Sequence, residues 1–168
     1  MNGESIIAED ITYSAGRRMV LFSTASQLRR LARASTFCMD GTFKITPKPW
    51  AQVAIISAEI STDVWVPIAF GLLPDKKYET YVHLFMALKT AVQKLNLEMA
   101  AQHFMADFEV NIRKAAKSTF TGELIYYYIL YPILYAQKFV KSIFKRDFAM
   151  RCDVENNNFF HVFMMTAL

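Results

Sequence analysis

Two aspartates lie in apolar runs that are typical of strands, where a carboxylate can hold a metal ion. Asp40 lies inside TFCMDGTFKI, and Asp107 lies 67 residues later, near the end of QHFMADFE. Two carboxylates within a few ångströms repel each other, and a divalent cation relieves that repulsion. A pair of Mg²⁺ ions held in this way can activate a water or hydroxyl and stabilise the leaving oxygen in phosphodiester cleavage. The two acids therefore predict metal-dependent chemistry if the fold brings their strands together.

Each acid also has a structural interpretation. The pair Asp40-Gly41 is typical of a β-hairpin turn, or of a strand position at which a carboxylate is displayed and another group approaches the backbone. Asp107 precedes a predicted helix, and its carboxylate would accept hydrogen bonds from the first backbone N–H groups of that helix. One carboxylate oxygen can cap a helix while the other binds a metal ion, so both roles stay open. Glu109 is predicted to complement the helix dipole rather than to bind metal.

Apolar patterning predicts the strands that would position these acids. Long runs rich in β-branched residues indicate three strands over 36–45, 51–60 and 64–73, joined as a meander. A short apolar run over 102–109 indicates a fourth strand, which carries Asp107 near its end.

Helical periodicity interrupts these strands. Apolar residues recur at helical spacing over 81–95, which predicts a helix starting at Asp75 or Thr80. A shorter helix is expected before the first strand, with Ser26 as its N-cap. Another helix is expected over 111–120, after the fourth strand.

This order of elements predicts a mixed α/β sheet of the RNase H-like class. In that arrangement the first three strands are antiparallel, and the fourth lies beside the first. A crossover helix before the fourth strand suits a parallel pair, because such pairs need a long connection. Asp40 and Asp107 would then project from adjacent strands near one edge of the sheet.

Length and composition favour one intracellular domain. The chain has 168 residues, 54% of them apolar, which excludes general disorder and allows a sizeable core. The longest apolar run, over 124–136, contains a proline and falls short of the about 20 residues of a membrane span. We expect no membrane partner and no signal peptide, since the first residues lack an apolar core. Two cysteines without metal-ligand spacing argue against a disulfide framework and a structural zinc site.

Three segments of the chain differ in character. Residues 1–19 form a polar N-terminal segment, and residues 20–122 carry the predicted core. Residues 123–168 form a divergent, aromatic-rich tail that is predicted to be helical in part.

Other side chains with chemical potential have structural interpretations. Cys38 lies two residues before Asp40 and so on the same strand face, where it is predicted to be a small packing residue. His83 is expected to be a partly exposed surface residue, and His103 to lie near the sheet edge.

Basic residues form two groups that are compatible with phosphate contacts. They are Arg29, Arg30 and Arg33 on the first helix, and Lys138, Lys141 and Lys145 on one face of a tail helix. Each basic side chain that contacts a phosphate adds to salt-dependent affinity for nucleic acid. A net charge of +4 is compatible with a nucleic-acid partner but does not by itself indicate one. An ordinary solvated helix face is the favoured alternative for both groups.

Three blocks of sequence resemble the catalytic core of Mutator-like element (MULE) transposases. They are MDGTFKITPKPW, PIAFGLLPDKKYETYVHLFMAL and FMADFEVNIRKA, which follow the family's order over about residues 20–120. The resemblance implies an RNase H-like domain of the DDE type, which cuts and joins DNA ends with two divalent metals. It implies Asp40 and Asp107 as the catalytic, metal-binding acids, with Mg²⁺ or Mn²⁺ as the cofactor. It also implies DNA as the partner and a nuclear or other intracellular location, and it leaves a homo-oligomer open.

The sequence departs from the family pattern after the second acid. The stretch GELIYYYILYPILYAQKFVKSIF lacks the family's C-x-F-H-like motif, and the chain ends 61 residues after Asp107. The family's third acid, a glutamate in a later helix, lies further on. We therefore expect a catalytically incomplete transposase fragment with little or no strand transfer. The alternatives are a non-catalytic DNA-binding or regulatory relative, domesticated from a transposase, and a transposon remnant without activity.

Overall fold

Strands and helices follow each other along the described part of the chain, which comprises residues 6–13, 16–42, 46–106, 109–120 and 125–128 of a computed structural model. In chain order the elements are β1 (Ile6–Tyr13), β2 (Arg17–Thr24), α1 (Ala25–Arg33), β3 (Thr36–Thr42), β4 (Gln52–Ser61), β5 (Val64–Leu73), α2 (Tyr78–Gln93), β6 (His103–Ala106), α3 (Val110–Thr119) and β7 (Ile125–Tyr128). The strands form one sheet in the order β1-β2-β5-β4-β3-β6-β7. The predicted mixed α/β class is therefore confirmed.

The central strands pair as the sequence predicts. β3, β4 and β5 are antiparallel neighbours, with Asp40 opposite Ile55 and Ile55 opposite Phe70. β6 lies parallel to β3, with Met39 opposite Ala106, so the predicted parallel pair is confirmed. The chain passes through β4, β5 and α2 between β3 and β6, and this supplies the long connection that a parallel pair needs.

An N-terminal hairpin extends the sheet beyond the predicted meander. β1 and β2 pair antiparallel from Ile6 opposite Thr24 to Tyr13 opposite Arg17. β2 also pairs with β5, and its residues from Met19 onward are buried. The predicted boundary between residues 19 and 20 therefore falls inside a strand. The sequence pattern missed this hairpin because β1 carries two adjacent acids, Glu9 and Asp10, in place of a regular apolar alternation.

The last described strand falls in the segment that the sequence pattern assigned to a divergent tail. β7 pairs parallel with β6 and so belongs to the sheet. The remainder of the segment 123–168, including Lys138, Lys141 and Lys145, lies outside the described residues. Among the helices that the structure describes, none combines the length and the apolar character needed to cross a bilayer.

Strand alternation gives the sheet two different faces. One face packs with α1, α2 and α3 in a large apolar core that includes Phe37 and Met39 of β3. The opposite face carries a smaller buried cluster: Val20, Phe22, Val53, Ile55, Phe70 and Leu72. Cys38 and Asp40 alternate with Phe37 and Met39 along β3, so they lie on the face of the smaller cluster.

The first helix starts at a different cap from the one predicted. The N-cap of α1 is Thr24, whose Oγ1 accepts a hydrogen bond from the Gln27 backbone N–H at 3.3 Å. The Gln27 Oε1 in turn accepts from the Thr24 backbone N–H at 3.1 Å, which completes a capping box. Ser26 lies inside the first turn, with its hydroxyl 3.0 Å from the Thr24 hydroxyl. The prediction of Ser26 as N-cap is therefore wrong.

We expect Thr24→Ala to lower the free energy of unfolding by about 1 kcal/mol, because it removes the side-chain acceptor of the capping box. Ser26→Ala leaves that box intact and is expected to change the same quantity by less than about 0.5 kcal/mol. Urea unfolding followed by far-UV circular dichroism measures both values. Equal losses in the two variants would contradict the observed cap.

Candidate metal-binding site

Asp40 lies within a continuous strand rather than in a turn. β3 continues past it, with Gly41 opposite Ala54 and Thr42 opposite Val53, so the hairpin-turn interpretation is wrong. The residue is 7% exposed, and its Oδ1 accepts a hydrogen bond from the Gly41 backbone N–H at 2.8 Å. A largely buried carboxylate on a strand with neighbours on both sides is held in a fixed position.

The second predicted acid, Asp107, lies outside the described residues. The residue before it, Ala106, ends β6 and is in register with Met39, the residue before Asp40. α3 begins at Val110 with Glu109 as its N-cap. We predicted Asp107 as the N-cap of this helix, but the structure has Glu109 in that position.

Cys38 is buried on the same face of β3 as Asp40. It is 2% exposed and lies opposite Ser57 of β4. Burial raises the pKa of the thiol to about 12, with a smaller contribution from the charge of Asp40. A thiol that stays protonated is a poor nucleophile, which agrees with the predicted packing role.

Raising the pH from about 8 to about 10 is expected to lower the stability of the wild-type chain by about 1 kcal/mol more than that of Cys38→Ala. In the unfolded chain the thiol ionises near its usual pKa of 9.0, whereas in the folded chain the pKa is about 12. Between these values the folded state binds more protons than the unfolded state, so stability falls as the pH rises. Urea unfolding of both proteins at both pH values gives the difference. An identical pH dependence in the two proteins would show that Cys38 is not the responsible group.

A buried hydrogen-bond chain links β4, α2 and the start of α3. The Gln52 Nε2 donates to the Tyr81 hydroxyl at 2.8 Å, and that hydroxyl donates to the Glu109 Oε1 at 2.7 Å. The Lys76 Nζ lies 3.7 Å from the Glu109 Oε2. In the sequence pattern Tyr81 is only one of the apolar positions of a predicted helix, and that pattern does not indicate this hydrogen-bond chain. The available signal was chemical, because a buried tyrosine hydroxyl requires a hydrogen-bond partner.

A second polar cluster fixes the turn that leads into α2. The Asp75 Oδ1 accepts from the Thr80 hydroxyl at 2.6 Å and from the Lys77 backbone N–H at 2.9 Å. Burial opposes ionisation of Asp75, but these hydrogen bonds and the nearby Arg17 guanidinium outweigh it and lower its pKa. The helix itself begins at Tyr78, between the two predicted starting residues.

His83 is placed as expected, whereas His103 lies on β6, which has β3 and β7 as neighbours and is not at the edge of the sheet. His83 is partly buried on α2, with its ring centroid 4.3 Å from that of Tyr13. His103 is also partly buried and opens β6, where its backbone N–H donates to the Ser35 carbonyl at 3.0 Å. Neither residue lies at the end of β3 where Asp40 is found.

The basic residues of α1 are separated from Asp40. Arg29, Arg30 and Arg33 are exposed on a helix that packs on the large-core face of the sheet. α1 leads into the beginning of β3, whereas Asp40 lies near the end of that strand and on the opposite face. The structure therefore does not bring these arginines together with the candidate acid.

Asp40 on its own is not a complete metal site. In the part of the chain that the structure describes, no group of three or more histidine, cysteine, aspartate and glutamate side chains is arranged to hold a metal ion. No protein-family model and no curated protein matches the chain.

Proposed function

We propose that this chain is an RNase H-like domain that holds divalent metal ions at a site for DNA phosphodiesters, as its resemblance to Mutator-like element transposases implies. In this proposal Asp40 and Asp107 are the catalytic, metal-binding acids, and Mg²⁺ or Mn²⁺ is the cofactor. The observation that carries the proposal is the parallel register of β3 and β6, in which Met39 lies opposite Ala106. Each of these residues directly precedes one of the two acids in the sequence.

Strand alternation supports a shared site for the two acids. Met39 and Ala106 both belong to the large core, and Asp40, which follows Met39, lies on the opposite face of the sheet. The proposal requires the carboxylate of Asp107 to lie on that face as well. Paired strands lie about 4.8 Å apart. Two carboxylates at that separation suit a common divalent cation, whose ligand oxygens lie about 2.0–2.6 Å from the ion.

The carboxylate of Asp40 is a type of ligand that a hard divalent cation takes. Carboxylate oxygens are the ligands that Mg²⁺ and Mn²⁺ prefer. When bound, such ions activate a water or hydroxyl and stabilise the leaving oxygen of a phosphodiester. The chain contributes rigidity, because Asp40 lies on a strand with a neighbour on each side and Gly41 orients one carboxylate oxygen. A ligand held in this way needs little rearrangement before it binds an ion.

The strand order supports the fold that the proposal requires. β5, β4 and β3 are successive antiparallel neighbours, and β6 adds a parallel strand on the other side of β3. That arrangement matches the RNase H-like order in which the fourth strand lies beside the first. The hairpin of β1 and β2 extends the sheet beyond β5, away from the proposed acids.

Binding of Mn²⁺ tests the proposal directly. We expect the wild-type chain to bind Mn²⁺ with a Kd on the order of 10⁻⁴–10⁻³ M, as weak carboxylate sites bind divalent cations. Asp40→Asn is expected to weaken that binding by more than about 100-fold, since it removes a charged ligand. The signal of free Mn²⁺ in electron paramagnetic resonance measures both values. In a second assay, Mn²⁺ should strengthen binding of a labelled DNA duplex to the wild-type chain but not to Asp40→Asn.

Asp63→Asn is the matched control for this experiment. Asp63 is exposed in the turn between β4 and β5, and asparagine tolerates its positive φ of 60°. The control should bind Mn²⁺ as the wild-type chain does. A wild-type chain that binds no Mn²⁺, or an Asp40→Asn chain that binds it equally well, would refute the proposed site.

A further inference from the structure

The outer face of α1 carries three arginines and no acidic residue. Arg29, Arg30 and Arg33 are all exposed, and the helix over Ala25–Arg33 contains no aspartate or glutamate. Arg33 follows the other two arginines by three and four residues, a spacing that places side chains on one side of a helix about 5–6 Å apart. The three guanidinium groups therefore concentrate positive charge within little more than one turn.

The α1 arginines differ from the arginines of β2, which are paired with acids. The Arg17 guanidinium lies 3.5 Å from the Asp75 carboxylate, and the Arg18 guanidinium donates two hydrogen bonds to the Asp10 carboxylate. In the part of the chain that the structure describes, the α1 arginines form no ion pair. No described acid therefore neutralises the charge of the α1 face.

The C-terminal end of α1 does not need these side chains as caps. The Ala34 backbone N–H donates to the Arg30 and Leu31 carbonyls, both at 3.1 Å. The Ala100 backbone N–H donates to the Ala32 carbonyl at 3.0 Å. Backbone groups thus satisfy three of the last carbonyls, which basic side chains near a helix C-terminus can otherwise bind. Capping therefore explains neither the number nor the exposure of the arginines.

The inner side of α1 is anchored to the sheet. Leu28 and Leu31 have no exposed surface, and the Gln27 Nε2 donates to the Pro67 carbonyl of β5 at 3.1 Å. A helix that is fixed on one side presents its other side at a fixed place. A partner that binds there has less of the protein to order, which reduces the entropic cost of binding.

The composition of the α1 face favours a nucleic-acid backbone over an acidic protein. Protein–protein interfaces have apolar and aromatic side chains at their centre, whereas protein–DNA interfaces are more polar and more positively charged. Among the described residues, the exposed large apolar side chains all lie on other elements than α1. The planar guanidinium group also matches a phosphate with two parallel hydrogen bonds.

We propose that Arg29, Arg30 and Arg33 form a docking surface for the phosphate backbone of duplex DNA, where the choice of DNA among nucleic acids rests on the proposed function. Phosphates follow one another at about 3.4 Å along each strand of a duplex, so several lie within reach of arginines grouped in this way. The surface is separate from Asp40, which lies on the opposite face of the sheet. It therefore binds DNA without a metal ion.

Fluorescence anisotropy with a labelled DNA duplex in chelator tests this surface. Each phosphate contact contributes about 0.9 to the slope of log K against log salt concentration, so three arginines contribute about 2.7. Raising NaCl from about 50 to about 200 mM should therefore weaken wild-type binding by at least about 40-fold. Arg30→Gln should lower the slope by about 0.9, and the triple variant with glutamine at all three positions should lower it by about 2.7.

Arg18→Gln is the matched control, because it changes the net charge by the same amount as Arg30→Gln. The Arg18 guanidinium is exposed but already bonded to the Asp10 carboxylate, so a phosphate gains little from it. Its removal should change the slope by less than about 0.3. Far-UV circular dichroism verifies that each variant is folded, as expected for exposed positions and because glutamine has nearly the helix propensity of arginine.

Three results would overturn the docking surface. Equal losses in Arg30→Gln and Arg18→Gln would show that only net charge matters. A wild-type chain without affinity for the duplex at about 50 mM NaCl would show that the arginines bind no phosphate backbone. A poly-glutamate peptide or an RNA duplex that binds more tightly than the DNA duplex would show that the face fits another partner.

The same measurements distinguish this proposal from the proposed function. Asp40→Asn should bind the duplex in chelator with the wild-type slope, because the α1 face does not use the metal site. If the wild-type chain binds no Mn²⁺ but Arg30→Gln shows the expected loss, the proposed metal site fails while the docking surface stands. If the wild-type chain binds Mn²⁺ and the triple variant keeps the wild-type slope, the docking surface fails while the metal site stands.

Discussion

Phe85→Ala is expected to lower the free energy of unfolding by about 3–5 kcal/mol, among the largest losses for any single substitution in this chain. The Phe85 side chain has no exposed surface. Its ring lies 5.5 Å, centroid to centroid, from both Phe104 of β6 and Phe120 after α3, in edge-to-face contacts. Truncation leaves a cavity at the point where α2, β6 and the end of α3 meet, and rigid strands cannot collapse to fill it.

Met86→Ala is the matched control, because Met86 is the next residue of the same helix and is 53% exposed. Its loss removes little buried area, and alanine is an excellent helix former, so the change should stay within about 0.5 kcal/mol. Urea unfolding of both variants, with one common slope, measures the difference. Similar losses at the two positions would contradict the placement of α2 against β6.

The central strands and α2 are predictable from sequence because the spacing of their apolar residues along the chain reflects which side chains are buried. β5 has no polar side chain and β4 contains the apolar run Val53–Ile56, as expected for strands that are largely buried on both faces. α2 repeats apolar residues at helical spacing, and the residues at that spacing, including Tyr81, Leu84 and Leu88, are buried. The strand with Asp40 is described over Thr36–Thr42, and the last three residues of its predicted range lie outside the described residues.

The missed features depend on contacts between distant parts of the chain. β1 has two adjacent acids, Glu9 and Asp10, in place of a regular alternation, so its pairing with β2 identifies it as a strand. The partners of Tyr81 lie 29 residues before it and 28 residues after it, and no local periodicity records such a bond. The N-cap of α1 was locally visible as T-x-x-Q, but Ser26 is equally good by residue type.

For the candidate site, sequence and structure answer different questions. The sequence singles out Asp40 by residue type and by its neighbours but leaves a turn and a ligand role open. The pairing of β3 with β4 beyond Asp40 excludes the turn, and the register of β3 with β6 aligns the residues before the two acids. Residue types therefore identified the candidate acids, and the strand register showed that Asp40 lies within a strand rather than in a turn.

Asp40→Asn is expected to have effects of opposite sign on stability without and with metal. In chelator, the variant should be more stable than the wild-type chain by about 1 kcal/mol, because it removes a largely buried charge and its repulsion by the proposed partner acid. Asparagine retains an oxygen that can accept from the Gly41 N–H. Residues selected for a site rather than for stability commonly show this behaviour.

Adding about 10 mM Mn²⁺ should stabilise only the wild-type chain, by about 1.4 kcal/mol for a Kd of about 1 mM, so that the wild-type chain becomes more stable than Asp40→Asn. Asp63→Asn should follow the wild-type chain under both conditions, since its carboxylate is exposed in a turn. Urea unfolding in chelator and in Mn²⁺ measures all six values. A structural carboxylate would instead leave Asp40→Asn less stable under both conditions, with the same response to Mn²⁺ as the wild-type chain. The reversal of sign is therefore the property that separates a metal ligand from a buried polar residue at this position.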